Sequence, residues 1–180
     1  MTLRPPPDPA LPVGLVGLGL VGNALAQRLV AAGFEVMGHD LRDEARAAFQ
    51  ATHGRGAASP RDIGATCAVV VLAVFDTAGA IAAIEGPDGL AAGGAVRAVI
   101  DCSTGIPEAL EALSQRLAAR HIDFVEAPLS GSSRQIAAGD ATLLLGGDGD
   151  AIAALAAYLL SPDAAAITGQ EIQICGGASL

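Results

Sequence analysis

Lysine is missing from this sequence altogether; all ten basic side chains are arginine. No amine is therefore available among these residues for a Schiff base or for lysine acid/base chemistry. Tryptophan is also absent, aromatics make up 3% of the chain, and charged residues only 16%. With so little charge and a hydrophobic fraction of 52%, a disordered or fibrous chain is excluded. Positive charge is scarce as well. The net charge is -9, and the arginines are scattered from Arg4 to Arg134 without forming a run. Nucleic acid demands clustered cations and is excluded as a partner. No stretch of about 18 uninterrupted apolar residues occurs, so no membrane span is expected. The three cysteines, Cys67, Cys102 and Cys175, are odd in number and widely spaced. They form no disulfide framework and fit a reducing, cytoplasmic setting. No two histidines stand at ligand spacing, so no metal site is expected.

What remains is a chain of 180 residues, the length of one domain with a sizeable core. Residues 1–11 are proline-rich and read as a flexible leader. The apolar stretch Leu11–Ala26 resembles an export signal, but Gly14, Gly17, Gly19 and Gly22 interrupt it, and a strand–loop–helix reading fits better. Strands are expected over Leu11–Leu18, Phe34–Gly38, Cys67–Val74, Val96–Cys102, Ile122–Glu126, Ala141–Leu145 and Ile172–Cys175. Helices are expected over Gly22–Ala32, Asp43–Thr52, Pro60–Ala65 with Ser59 as its cap, Ala78–Ile84, Pro107–Arg120 and Ala151–Leu160. Strands that are apolar throughout and alternate with helices indicate an α/β fold with a doubly wound, mostly parallel sheet of Rossmann type.

Gly17-Leu18-Gly19-Leu20-Val21-Gly22 is a G-x-G-x-x-G run. In a glycine-rich chain that pattern alone is weak, but here it follows an expected strand and opens an expected helix. The next strand ends at Asp40, 18 residues after Gly22. Gly17 permits the tight turn, Gly19 lets the backbone approach a pyrophosphate, and Gly22 lets helix and strand pack closely. The helix N-terminus supplies free N–H groups and partial positive charge for phosphates. Asp40 can accept both ribose hydroxyls of an adenosine and would repel a 2′-phosphate, which favours NAD. Arg42 could clamp such a phosphate and leaves NADP open. The plainer alternative is a glycine turn with Asp40 acting only as a helix cap.

Two further motifs follow. Asp101-Cys102-Ser103-Thr104-Gly105-Ile106-Pro107 closes a strand and opens a helix, offering hydroxyls where ligands lie in open α/β sheets. On its own it reads equally as a Ser/Thr cap. Glu126-Ala127-Pro128-Leu129-Ser130-Gly131-Ser132 leads to Gly139 and then to Gly146-Gly147. Its small residues suit a carboxylate-binding nest of N–H groups, or equally a surface loop.

In this order and spacing, the three motifs resemble those of the β-hydroxyacid dehydrogenase family, which includes 3-hydroxyisobutyrate dehydrogenase, over about residues 12–160. The resemblance implies an NAD(P)-dependent oxidoreductase passing hydride between a small 3-hydroxy acid and nicotinamide. It implies cofactor contacts at Gly17, Leu18, Gly19, Leu20, Val21, Gly22, Asp40, Leu41, Arg42, Val74, Phe75, Ser103 and Thr104. Substrate contacts are implied at Ser103, Ser130, Gly131 and Ser132. Val21, Glu126 and Ser132 depart from the family's Met, Asp and Gly, and Gln135-Ile136 from its Gly-Ala. These changes reshape the substrate end.

In that family a long all-α domain follows and carries a catalytic lysine. The expectation for these residues is a single Rossmann domain without it, hence no catalytic residue of their own. Residues 161–180 read as a separate terminal segment. From Leu159 to Leu180 the sequence resembles the end of a short-chain dehydrogenase/reductase, although that family's Tyr-x-x-x-Lys pair is missing: Tyr158 is followed at that spacing by Pro162. The competing reading is a non-catalytic dinucleotide-binding module that senses NAD(H) or assembles as a homo- or hetero-oligomer.

Overall fold

The computed structural model describes residues 11–147 and 172–174. The chain runs β1 (Val13–Val16), α1 (Leu20–Ala31), β2 (Val36–His39), α2 (Asp43–Thr52), β3 (Arg55–Gly56), α3 (Pro60–Thr66), β4 (Val69–Leu72) and α4 (Thr77–Glu85). After a 3-10 turn at Leu90–Ala92 come β5 (Ala98–Asp101), α5 (Pro107–Ala118), β6 (Asp123–Glu126), β7 (Leu129–Ser130), α6 (Ser133–Ala138), β8 (Thr142–Gly147) and β9 (Ile172–Ile174). The expected helix at Ala151–Leu160, nearly all of the leader, and Tyr158 and Cys175 lie outside the described residues.

The strand order is β3-β2-β1-β4-β5-β6-β8-β7, with β9 against β8. The first six strands are parallel. β8 runs antiparallel to β6 and β7, and β9 parallel to β8. This is an α/β Rossmann sheet, mostly parallel. Its central strands are valine-rich because both faces are covered. On one face Val16, Val70, Leu72, Val99 and Phe124 pack with Ile63 of α3, Ile84 of α4 and Leu110, Leu113 and Leu117 of α5. On the other, Leu15, Val36 and Val71 pack with Ala26 of α1 and Phe49 of α2.

Local signals set the element ends. Ser59 and Asp62 form a reciprocal capping box at α3, with Pro60 at the first helical position. Three of these elements went unread in the sequence: the two-residue strand β3, and β7 and α6, where the chain looked like a continuous loop. A capping box between Ser132 and Gln135, and left-handed Gly139 at the C-cap, delimit α6. It packs on α1, burying Ile136 and Ala24.

Candidate functional site

The strand order reverses between β1 and β4, and in such sheets the crevice at that point, beyond the carboxyl ends of the strands, is where ligands bind. Because β1 to β6 are parallel, the segments 17–19, 40–42, 73–76, 102–106 and 127–128 all emerge on this edge. Backbone bonds tie them together just past the strands. Gly17 N donates to His39 O at 2.8 Å, Ala73 N to Val16 O at 2.8 Å, Cys102 N to Leu72 O at 2.9 Å and Ala127 N to Asp101 O at 2.7 Å.

The three glycines of the first loop do different work. Gly17 has φ +94°, and a Cβ there would overlap the Ala73 carbonyl. A Cβ on Gly22 would overlap the carbonyl oxygen of Gly17. These two permit the turn and the approach of α1 to it. Gly19 has an ordinary φ of -73° and open space around the position a Cβ would take. It caps α1 without a side-chain bond, leaving the helix's first N–H groups for a ligand. Asn23, which sequence reasoning did not assign, holds the loop from the helix side. Its Nδ2 donates to Leu18 O at 2.6 Å and Gly19 O at 3.0 Å. Its signal was an amide side chain one residue past the last glycine.

Asp40 binds the same loop from β2. Its Oδ2 accepts from Leu18 N at 2.8 Å, and its Oδ1 from Arg42 N at 2.9 Å. The Arg42 guanidinium covers both oxygens, Nε at 3.0 Å from Oδ1 and Nη2 at 3.1 Å from Oδ2. Burial pushes this carboxyl up, but Arg42, through its guanidinium and its amide, and the Leu18 amide outweigh it and hold the pKa at about 2. Arg46 donates to Asp40 O at 2.5 Å and pairs with Asp43. Leu41 is 92% exposed.

Further along the edge, the two adjacent hydroxyls of the second motif separate. Ser103 is buried, and its Oγ accepts from Val74 N at 3.0 Å. Its amide donates to Asp101 Oδ1 at 2.9 Å. Thr104 is exposed. A second link runs parallel to the first: Thr77 Oγ1 accepts from Ile106 N at 2.8 Å. Asp101 is buried, and its Oδ2 has no hydrogen-bond partner among the described residues; burial drives its pKa up against the bonds from Ser103. Glu126, its register partner on β6, is also raised, first by burial and then by the Asp101 charge. Burial, then Asp101, pushes the neighbouring Cys102 thiol up to about 12, which keeps it out of nucleophilic chemistry.

In the third motif, Ser130 is exposed at the end of β7 and Gly131 has φ +145°. The amide and hydroxyl of Ser132 both donate to Gln135 Oε1, at 2.8 Å and 2.9 Å. The expected nest of free N–H groups is thus partly taken up by the cap of α6. His39, the last residue of β2, is buried, and its Nδ1 faces Ala57 O at 3.0 Å.

Large apolar side chains are exposed along this edge: Leu20 at 81%, Leu41 at 92%, Phe75 at 96% and Ile106 at 60%. Together with the open position at Gly19, the uncapped start of α1 and the carboxylate at Asp40, they fit a dinucleotide, whose ends are flat and apolar and whose middle is a diphosphate. Among the described residues no group of three or more His, Cys, Asp or Glu side chains could hold a metal ion, and no helix is long and apolar enough to cross a membrane.

Comparison with known proteins agrees with this geometry. Residues 12–170 match the family model described as the NAD binding domain of 6-phosphogluconate dehydrogenase. L-threonate dehydrogenase of Cupriavidus necator is 34% identical over 164 residues, covering 90% of this chain and 53% of that protein. Human mitochondrial 3-hydroxyisobutyrate dehydrogenase is 28% identical over 173 residues, covering 91% and 51%. A crystal structure of 3-hydroxyisobutyrate dehydrogenase from Salmonella typhimurium superposes with a TM-score of 0.75 at 26% identity, covering 92% of this chain and 57% of that one. The chain spans about half the length of the curated relatives it matches. The likeness of the tail to a short-chain dehydrogenase/reductase is not supported, because the match to the NAD-binding family model runs on through residue 170. An open strand edge can pair with a short apolar segment in many folds, so the pairing of β9 with β8 does not mark that family.

Proposed function

The chain belongs to the β-hydroxyacid dehydrogenase family, of which residues 12–170 form the NAD(P)-binding domain, and from this we propose that it is the cofactor-binding half of an NAD-preferring dehydrogenase of small 3-hydroxy acids. The observation that carries the reading is the first loop. Its one glycine with open space, Gly19, faces the uncapped start of α1, and the carboxylate of Asp40 is bonded to the same loop.

When bound, the nicotinamide cofactor supplies a site that accepts or returns a hydride. The residues of this chain do the holding. The N–H groups at the start of α1 bind the diphosphate, with Gly19 keeping their approach open and Leu18, Leu20 and Val21 forming the loop. Asp40 accepts the ribose hydroxyls, which favours NAD. Leu41, and Val74 with Phe75, give apolar surface at the two ends. Thr104, exposed, offers the hydroxyl for the nicotinamide ribose or substrate carboxylate, while Ser103 fixes the Val74 backbone beside it. Ser130, Gly131 and Ser132 form the substrate end, where Ser132 stiffens the turn into α6.

These 180 residues contain no lysine, so an amine that takes up the hydroxyl proton has to come from residues outside them. The same observation supports a second reading, a dinucleotide-binding subunit that senses or assembles and performs no turnover. NAD-dependent oxidation of 3-hydroxy acids, followed at 340 nm, separates the two. The chain is assayed alone and with a separately supplied lysine-bearing helical half from a relative. Turnover in the mixture supports the dehydrogenase; cofactor binding without turnover in either arm supports the module.

A further inference from the structure

The carboxylate of Asp40 is fully subscribed. A carboxylate offers about four lone-pair positions, and four donors reach this one. Two are backbone amides, Leu18 N on Oδ2 and Arg42 N on Oδ1, and they hold the turn together. The other two belong to the Arg42 guanidinium, Nε on Oδ1 and Nη2 on Oδ2. The guanidinium forms the outer layer: the Arg42 side chain is 63% exposed and that of Asp40 only 11%. Its two N–H groups stand side by side across the two oxygens, the same two-point pattern that a vicinal diol presents to a carboxylate. A ribose approaching from solvent therefore meets Arg42 before it can reach Asp40.

We propose that Arg42 masks the ribose-binding carboxylate of Asp40 and thereby narrows the preference for NAD that Asp40 gives this chain. An adenosine ribose with both hydroxyls free displaces the guanidinium and takes its two positions on Asp40. The displaced guanidinium exchanges the ion pair for water alone, so Arg42 weakens NAD(H) binding by the small net worth of that pair. A cofactor carrying a 2′-phosphate gives the displaced guanidinium a charge-assisted partner, so the same residue strengthens NADP(H) binding against the repulsion of Asp40. Arg46 does not substitute for it, because its guanidinium is held by Asp43 and the Asp40 carbonyl. This deepens the cofactor reading above and rests on it.

The test is titration of the full chain with NADH and NADPH, read by fluorescence or calorimetry, for wild type, Arg42→Ala, Asp40→Ala and the double variant. An exposed ion pair of this kind is worth roughly a two- to fivefold change in affinity. Arg42→Ala is expected to tighten NADH by about that factor and to weaken NADPH by roughly tenfold or more, as loss of a charge-assisted contact does. In the Asp40→Ala background, Arg42→Ala should no longer tighten NADH, which a merely structural role for Arg42 would not predict. Equal weakening of both cofactors by Arg42→Ala, with thermal stability retained, overturns the mask. Wild-type chain that binds neither cofactor overturns the underlying cofactor reading and the mask with it.

Discussion

Alanine at Gly19 and alanine at Gly17 should fail in opposite ways. Gly19 has φ -73°, a value any residue adopts, and nothing surrounds the position a Cβ would take. Gly19→Ala is therefore expected to leave stability within about 0.5 kcal/mol of wild type, as surface substitutions usually do. On the proposed reading, its methyl group stands where the diphosphate approaches. Displacing even one charged hydrogen bond costs about 1.5–3 kcal/mol, roughly a ten- to hundredfold loss of NADH affinity. Gly17, by contrast, sits at φ +94°, where an L-residue loses about 1–2 kcal/mol. Its Cβ would also meet the Ala73 carbonyl, and forced overpacking costs a further 1–3 kcal/mol or so. Gly17→Ala should then lose roughly 2–5 kcal/mol of folding stability, read by urea or thermal denaturation. Paired denaturation and NADH titration check both variants. If Gly19→Ala unfolds as readily as Gly17→Ala, or binds NADH as wild type does, the division of labour among these glycines is wrong.

Other consequences follow from the same edge of the sheet. Ser103→Ala leaves the Val74 amide without its acceptor and should cost about 1–3 kcal/mol, whereas Thr104→Ala should leave the melting temperature unchanged and lower cofactor or substrate affinity. Denaturation and binding measured on each variant check the contrast. The Asp101 carboxyl is raised in the fold, so the stability linked to it is full below the ordinary carboxylate range, about pH 4, and falls as pH climbs through the raised value. Glu126 acts in the same sense. Asp101→Asn should flatten that decline in a series of melts across pH; an unchanged slope would show that burial of this charge is not what costs stability.

Much of the site was legible because glycine, proline and charge patterns act locally. The helix Asp43–Thr52 and its flanking strand end at Asp40 could be placed because an acidic first turn follows a run of β-formers. The strand expected over Cys67–Val74 pairs only over Val69–Leu72, yet Ala73 still bonds Val16, so the apolar run marks burial more than ladder length. α6 was missed because it spans only six residues with one large apolar side chain, Ile136, and so shows no apolar period. Its Ser132–Gln135 box was the available signal. Which of Ser103 and Thr104 faces inward follows from strand alternation with buried Asp101, a rule that needs the strand's end to be known. The fork of Arg42 on Asp40 was not legible at all. Sequence places the two charges two residues apart, but their contact depends on the turn that carries them into α2.

The central claim is that these residues form a dinucleotide site favouring NAD, and direct titration of the chain with NADH, then NADPH, tests it. Saturable binding of NADH, tighter than that of NADPH and reduced by Asp40→Ala more for NADH than for NADPH, is the predicted result. No saturable signal with either cofactor at millimolar concentration would contradict it.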